Sequence, residues 1–304
     1  MPEKIGQIAT NAVTAGELYL EPPELDGSLR ACFQIDEILE DIQSSYQHVQ
    51  VVRAGELGPM LLLDGVPQTC LFDEAAYHEM LVHVPMLTHP EPQNVLVVGG
   101  GDGGAVREVL KHPEVRDVVL CEIDQAVVEV SRRHLPELAA SLDDPRVTVR
   151  HQDAARFMRQ KQNDLDVIII DSSDPIGPAA ELFGRPFYEG VRQALRPGGV
   201  AAAQMESFFL YEELIGQVMG FLDEMFDSAA YYLTNAPTYS SGVMGMAICG
   251  LGPDPLQPPD PARAAALGPL DYYNPALHRA AFALPQRALR LMPPAVAQRQ
   301  AACP

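Results

Sequence analysis

The chain has 304 residues, of which 47% are hydrophobic, and it carries 41 acidic against 21 basic residues for a formal net charge of −20. This length suits one large domain or two modest domains with a sizeable buried core. The acidic balance opposes binding to a phosphate backbone, which depends on lysine and arginine, so we expect no nucleic-acid partner.

The same composition predicts a cytoplasmic protein. No run of about 18 apolar residues occurs, and the N-terminal stretch lacks the basic start and apolar block of a secretory signal, so we expect no membrane partner. The five cysteines are scattered, without a C-x-x-C pair or zinc-ligand spacing. They are Cys32, Cys70, Cys121, Cys249 and Cys303. We expect incidental thiols in a reducing compartment and no metal site.

Residues 30–75 read as strand-like segments with a turn signal at Asp64-Gly65. No amphipathic helix interrupts them, so a small antiparallel β domain is predicted over residues 1–75.

From residue 94 onward, short apolar runs alternate with helical stretches. The predicted strands are 94–98, 117–123, 146–150, 166–171 and 199–204, and the predicted helices lie near 104–112, 125–135, 154–162, 187–195 and 211–226. This alternation predicts a doubly wound α/β domain with a mostly parallel, Rossmann-type sheet over residues 76–290. A last strand pair is expected in 231–250, a surface loop in the proline-rich 251–263, and a flexible tail over 291–304.

Carboxylates stand at the ends of four successive predicted strands. They are Asp102, the pair Glu122 and Asp124, Asp153, and Asp171. Because ligands of such sheets bind beyond the carboxyl ends of the strands, all of them would face one crevice. For Asp124 and Asp153, a helix N-cap is an equally good interpretation.

Two of these acids suit an adenosine group. Glu122 lies about 18 residues beyond the glycine loop, where a carboxylate binds ribose hydroxyls in nucleotide-binding folds. Asp153 could accept a hydrogen bond from an adenine amino group.

The glycine loop matches G-x-G-x-x-G through Gly99, Gly101 and Gly104, but Asp102 lies inside it. Two unit charges about 4 Å apart interact by roughly 4 kcal/mol at an effective dielectric near 20, so Asp102 argues against a pyrophosphate such as that of NAD. Two interpretations remain: an S-adenosylmethionine methyltransferase, or an enzyme of a related adenosyl sulfonium. A sulfonium cofactor that has lost its carboxylate suits Asp102 without conflict.

A second motif, "IIIDSSDPIGP" at 168–178, places Asp171 and Asp174 three residues apart at the end of a strand. A turn with Asp171 as a capping acid is one interpretation. Two acids beside a sulfonium suggest instead a site for a second cation. Tyr77 and Tyr239 are candidates for its walls, although either ring could belong to the core.

These residues resemble the spermidine synthase family, the aminopropyltransferases. The resemblance runs from about residue 44 to 285 and is most specific in "LLLDGVPQT", "DEAAYHEMLVHVP", "VLVVGGGDGGAVREVLKHPEV", "CEID", "IIIDSSDPIGPAAELF" and "APTYSSG". It implies a methyltransferase-like α/β domain after an N-terminal β domain. The implied reaction transfers the aminopropyl group of decarboxylated S-adenosylmethionine to a diamine, usually putrescine.

The resemblance also implies roles for individual residues. For the adenosyl part these are Gln47, Glu122, Asp153 and Ala154, with Pro178 packing near it, and for the aminopropyl or polyamine chain they are His78 and Asp102. Asp171 would accept the proton, and Asp174, Tyr77, Tyr239 and Gln204 would position the amine. Decarboxylated S-adenosylmethionine is then a co-substrate, without a metal or redox cofactor, and the protein is expected to be a homodimer or homotetramer.

The chain departs from the family pattern at several positions. Leu71 and Phe72 replace a charged pair, Ala75 replaces an aromatic residue, and Ala154 replaces a glycine. An acceptor other than putrescine, such as cadaverine, agmatine or spermidine, therefore stays open. A small-molecule methyltransferase and a non-catalytic polyamine or nucleotide sensor are the alternatives from other classes.

Overall fold

The computed structural model describes residues 13–22, 29–175 and 177–302, without the side chains at 177 and 178. A short antiparallel pair comes first, formed by β1 (Leu18–Leu20) and β2 (Cys32–Gln34). Four antiparallel strands follow in sequential order: β3 (Glu37–Gln43), β4 (His48–Arg53), β5 (Pro59–Leu63) and β6 (Val66–Cys70). The antiparallel β region predicted from the sequence is present, while the exact domain boundaries stay predictions.

The α/β part begins with α1 (Glu74–Thr88) and carries seven strands. The strands are β7 (Asn94–Gly99), β8 (Asp117–Cys121), β9 (Val147–Arg150), β10 (Leu165–Asp171), β11 (Leu195–Gln204), β12 (Ser228–Asn235) and β13 (Val243–Gly250). The helices between them are α2 (Gly104–Leu110), α3 (Gln125–His134), α4 (Pro136–Ala139), α5 (Ala154–Met158), α6 (Arg185–Ala194) and α7 (Glu212–Met225). Short helices end the chain: α8 (Pro261–Ala266), α9 (Pro275–Ala280), α10 (Gln286–Leu289) and α11 (Pro294–Ala301).

The large sheet has the order β12-β13-β11-β10-β7-β8-β9. Strands β11, β10, β7, β8 and β9 are parallel to one another. Strand β13 lies between β11 and the edge strand β12 and is antiparallel to both. The central strands are apolar throughout because helices cover both faces of the sheet. Val95 and Val97 pack with α1 and α2, whereas Leu96 and Val98 pack with α6 and α7. The predicted mostly parallel α/β fold is confirmed.

The strand order reverses direction between β7 and β10, which makes a crevice at their carboxyl ends. The register pairs Asp171, the last residue of β10, with Gly99, the last residue of β7. Val49, Val51 and Leu61 of the four-stranded sheet pack against α3 and its neighbourhood. This packing brings the small sheet to the side of the crevice.

Helix α1 is absent from the sequence-based prediction. Its residues from Ala76 to Leu87 are all buried, so it lacks the polar face that gives a helical period of hydrophobicity. No helix in the described part of the chain is long and apolar enough to cross a membrane. The four cysteines in that part are free thiols.

The C-terminal segment corrects a prediction, because residues 294–301 form helix α11 rather than a flexible tail. Val296 is 1% exposed, and the Gln300 side chain donates to the carbonyl of Tyr231 at 2.6 Å and accepts from the Tyr231 amide at 3.1 Å. Pro293-Pro294 signals a helix start here, since proline is accepted at the first helical position. Residues 303 and 304 lie outside the described residues.

Candidate active site

A cavity of about 430 Å³ opens at the carboxyl edge of the parallel strands, between the large sheet and the four-stranded sheet. Its described lining includes the predicted site residues Gln47, Tyr77, Asp102, Glu122, Asp153, Ala154, Asp171, Asp174, Gln204 and Tyr239. The acids that line it are Asp64, Asp102, Glu122, Asp153, Asp171, Asp174 and Glu181, and no lysine or arginine is among the described lining residues. The side chain of Pro178 lies outside the described part of the structure. The cavity therefore favours a cationic ligand.

Glu122 forms one end of the cavity. Its carboxylate accepts a hydrogen bond from the amide of Asp124 at 2.8 Å and another from the backbone of Gly101. Burial, together with the nearby charge of Asp124, outweighs these bonds and raises the pKa of Glu122 to about 7. A Cβ on Gly101 would lie 2.8 Å from Cγ of Glu122, so the glycine makes room for this side chain.

Asp124 and Asp153 both cap helices, which is the alternative interpretation that the sequence left open for them. Asp124 accepts from the amide of Ala126 and also from Nε2 of Gln47 at 3.1 Å, which fixes the Gln47 side chain at the cavity. Asp153 caps α5 by accepting from the amide of Ala155 at 2.7 Å. Since Asp153 also lines the cavity, the cap and the predicted ligand contact can coexist.

The glycine loop lets β7 approach the end of β10. Gly99 and Gly100 have φ values of +74° and +65°, a backbone region that favours glycine. A Cβ on Gly99 would lie 2.1 Å from the carbonyl oxygen of Asp171, and one on Gly100 would lie 2.6 Å from its Oδ2. The loop is therefore shaped around the Asp171 carboxylate.

Asp171 is the centre of a buried polar cluster. Tyr77 donates its hydroxyl to Oδ1 of Asp171 at 2.7 Å, while Oδ2 has no hydrogen-bond partner among the described residues. Nε2 of His78 lies 3.9 Å from that Oδ2 and 3.7 Å from Oδ1 of Asp102. Asp102 also accepts from the amide of Gly104 at 2.7 Å.

Asp171 and His78 in this cluster have shifted pKa values. Burial and the charge of Asp102 raise the pKa of Asp171 to about 6, against the opposing effects of His78 and Tyr77. Burial disfavours the charged form of His78, but Asp102, Glu74 and Asp171 outweigh it and raise the pKa of His78 to about 9.

The ligand atoms of His78, Asp102 and Asp171 lie within 4.8 Å of one another, a spacing that a metal ion could span. At neutral pH the protonated imidazole has no lone pair to donate to a metal. A metal ion at this position would have to displace that proton, whereas an organic cation would not.

A second acidic pair lies farther along the cavity. Asp174 is hydrogen-bonded to Glu206, and burial raises the pKa of Asp174 to about 6. Nε2 of Gln204 donates to Glu206 at 2.8 Å. Tyr239 donates its hydroxyl to the carbonyl of Gln68 at 2.6 Å, and its ring stacks on Tyr77 with centroids 6.2 Å apart. The two tyrosines thus line the cavity between the acidic groups.

His78, for which a contact with the aminopropyl or polyamine chain is predicted, is more deeply buried than the other predicted site residues that the structure describes. Its side chain is 2% exposed and is not among the described cavity-lining residues; it lies behind Asp102 and Asp171. Leu71, Phe72 and Ala75 are also absent from the described lining, and Phe72 is 60% exposed to solvent.

Several site residues are missing from the sequence-based prediction. Leu61, Leu63, Asp64 and Gln68 of the four-stranded sheet line the cavity. The motif "LLLDGVPQT" includes these residues, but the sequence alone does not show that this sheet faces the crevice. Glu206 has no such signal, because only the folded chain brings it to Asp174.

Comparisons with known proteins agree with this geometry. A family model described as "Spermine/spermidine synthase domain" matches residues 74–254, and one described as "Spermidine synthase tetramerisation domain" matches residues 23–70.

Two relatives and two solved structures illustrate the similarity. The chain is 44% identical over 269 residues to a polyamine aminopropyltransferase of Leptospira biflexa, covering 88% of this chain and 95% of that protein. It is 43% identical over 257 residues to a spermidine synthase of Dictyostelium discoideum, covering 84% and 90%. A spermidine synthase crystallised with the transition-state analogue AdoDATO superimposes with a TM-score of 0.88 at 34% identity, covering 93% and 97%. The spermidine synthase of Thermotoga maritima gives 0.86 at 35% identity, covering 91% and 94%.

The raised pKa of Asp171 predicts a pH dependence of stability. Between its ordinary pKa of 3.8 and about 6, the folded protein retains a proton that the unfolded chain has released. Stability from this group therefore falls as pH rises through that window, by at most about 1.4 kcal/mol per pH unit. We expect urea unfolding of the ligand-free protein to show wild type losing stability relative to Asp171→Asn between pH 4.5 and 6. Parallel curves for the two proteins would contradict the burial of an ionisable Asp171.

Proposed function

The chain belongs to the spermine/spermidine synthase family and is an aminopropyltransferase, and we propose that it joins the aminopropyl group of decarboxylated S-adenosylmethionine to putrescine. The products are spermidine and methylthioadenosine. The observation that carries this proposal is a cavity whose described lining holds seven carboxylates and no lysine or arginine. Such a lining suits a cationic donor and a cationic acceptor, and its described residues offer no cationic side chain to a ligand carboxylate.

The adenosyl part of the donor belongs at the Glu122 end. A carboxylate there can accept both ribose hydroxyls, and Asp153 and Ala154 lie at the start of α5, beside the cavity. Gln47, held by Asp124, closes the same end. The sulfonium and its aminopropyl chain then lie near Asp102, whose charge opposes the carboxylate that intact S-adenosylmethionine would carry.

The reaction needs a deprotonated amine aligned behind the carbon that is attacked. A free alkyl ammonium, with a pKa near 10 by analogy with lysine, is a poor nucleophile at neutral pH. Asp171 lies where it can take the proton, and the neighbouring sulfonium lowers the pKa of the amine. The amine nitrogen forms a bond to the carbon as the carbon–sulfur bond breaks, the thioether leaves as a neutral group, and the proton passes to Asp171.

The far ammonium of putrescine belongs at the second acidic pair. Asp174 and Glu206 supply negative charge there, and Gln204 lies beside them. The stacked rings of Tyr77 and Tyr239 hold the apolar methylene chain between the two ends. The acceptor would thus be bound by the charge of its two ends and by its apolar chain.

The assembly and location follow from more indirect observations. The match of residues 23–70 to a tetramerisation domain supports a homotetramer over the homodimer that the sequence also allowed. The free thiols of the described cysteines fit a reducing compartment, which supports a cytoplasmic location.

An assay with purified protein, decarboxylated S-adenosylmethionine and putrescine tests the function. We expect methylthioadenosine and spermidine to form in equal amounts. Cadaverine, agmatine and spermidine, offered in competition, should each react more slowly than putrescine, and a faster reaction with one of them would identify that amine as the acceptor instead. Release of no methylthioadenosine with any amine would contradict the proposal.

Asp171→Asn tests the base. The variant keeps the volume and the hydrogen bond from Tyr77 but cannot take the proton, so turnover should fall by about a hundredfold or more while donor affinity is retained. Turnover and donor binding are measured by methylthioadenosine release and calorimetry. Asp166→Asn, at the opposite end of the same strand and bonded to Asn94 and Arg196, is the matched control and should retain turnover. Unchanged turnover in Asp171→Asn would remove Asp171 from this role.

A further inference from the structure

His78 lies directly behind the two carboxylates at the centre of the site. A Cβ on Gly104 would lie 2.2 Å from Cε1 of His78, so the imidazole ring packs flat against the start of α2. Nε2 faces the gap between Asp102 and Asp171 at 3.7 and 3.9 Å. The ring is buried, and its Nε2 is directed toward two carboxylates that line the cavity.

A second pair of residues fixes this ring from the other side. Glu74, one turn earlier on α1, accepts from Nδ1 of His78 at 2.7 Å. Arg107 of α2 grips both oxygens of Glu74, at 2.8 and 3.0 Å, and donates its Nε to Glu108 at 2.7 Å. Glu108 in turn pairs with Lys111 and His83, so the arginine cannot swing away easily.

We propose that Glu74 and Arg107 are positioning residues for the transfer reaction, which hold a charged His78 against Asp102 and Asp171 and so keep Asp171 ionised to receive the amine proton. The inference rests on the proposed role of Asp171 as the base. Neither residue is among the described lining of the cavity, so neither needs to touch a substrate.

The charges around His78 explain why Glu74 is needed to keep the imidazole protonated. The charged or titratable groups that face or flank it are Glu74 and Tyr77 of α1, Asp102 of the glycine loop, Asp171 of β10 and, beyond Glu74, Arg107 of α2. Burial works against the imidazolium, and the three carboxylates together outweigh it. Without Glu74 that balance moves toward neutral imidazole, and Arg107 then adds an unshielded positive charge nearby.

His78 and Asp171 are close enough that they hold one proton between them near neutral pH. The pKa of His78 is about 9 and that of Asp171 about 6, so the proton resides on the imidazole and the carboxylate is free. Loss of the Glu74 charge transfers part of that proton to Asp171. Turnover then recovers only at a higher pH, where this shared proton leaves the pair.

Glu74→Gln is the direct test, because glutamine still accepts a hydrogen bond from Nδ1 while the charge is lost. We expect kcat to be about twofold lower between pH 7 and 8 and to return to the wild-type value by pH 9, with the KM values for donor and putrescine changed little, because without the Glu74 charge more of the shared proton resides on Asp171 in that range. In the ligand-free protein, NMR titration of the His78 ring should show its pKa lowered by about one unit or more.

A second variant and a control complete the design. Arg107→Ala releases Glu74 and should lower kcat without raising KM, and Arg107→Lys should restore part of the loss. Glu79→Gln, on the same helix, removes a buried carboxylate that accepts from the amides of 271, 272 and 273, so it should lower the melting temperature without moving the pH profile.

Two results would overturn the inference: a Glu74→Gln variant that melts earlier but keeps the wild-type pH profile, or an unshifted His78 titration. If Glu74→Gln does not fold, wild-type kcat in Arg107→Ala would overturn it as well. The NMR titration needs no turnover, so a protein that transfers no aminopropyl group would refute the proposed function while the positioning of His78 is still measured.

Discussion

The structure depends on one electrostatic constraint, the placement of the largely buried side chains of Asp102 and Asp171 close together at the point where the strand order of the large sheet reverses. Burial and the neighbouring charge of Asp102 oppose the ionisation of Asp171 and raise its pKa. The protein offsets this with the buried imidazolium of His78, and the described lining of the cavity holds no lysine or arginine. The cavity therefore keeps a net negative charge, which a cationic substrate would neutralise.

The fold and the chemistry meet at the glycine loop. Parallel pairing aligns Gly99 with Asp171, and the left-handed backbone at Gly99 and Gly100 lets the loop pass within contact of that carboxylate. Farther along, Gly101 makes room for Glu122 and Gly104 for His78. A loop whose spacing resembles a phosphate-binding motif is here shaped around two acids and a histidine.

Much of this could be predicted from the sequence. Buried parallel strands are continuous apolar runs, and their carboxyl ends share one edge of the sheet, so the acids at 102, 122, 153 and 171 were predicted together. The side-chain partners were not, because they depend on tertiary packing. Helix α1 has no polar face, Nδ1 of His78 is bonded to Glu74, and Glu206 meets Asp174 only in the folded chain. The helix at Pro294–Ala301 was missed because its anchor, Gln300, bonds to a strand about 70 residues earlier.

Calorimetry of the two donor forms tests most directly the claim that the site is built for a cation without a carboxylate. Decarboxylated S-adenosylmethionine should bind roughly a hundredfold or more tightly than S-adenosylmethionine, because a carboxylate about 4 Å from Asp102 costs on the order of 4 kcal/mol at an effective dielectric near 20. Asp102→Asn should narrow that difference. Equal affinity for the two forms, or tighter binding of S-adenosylmethionine, would contradict the account.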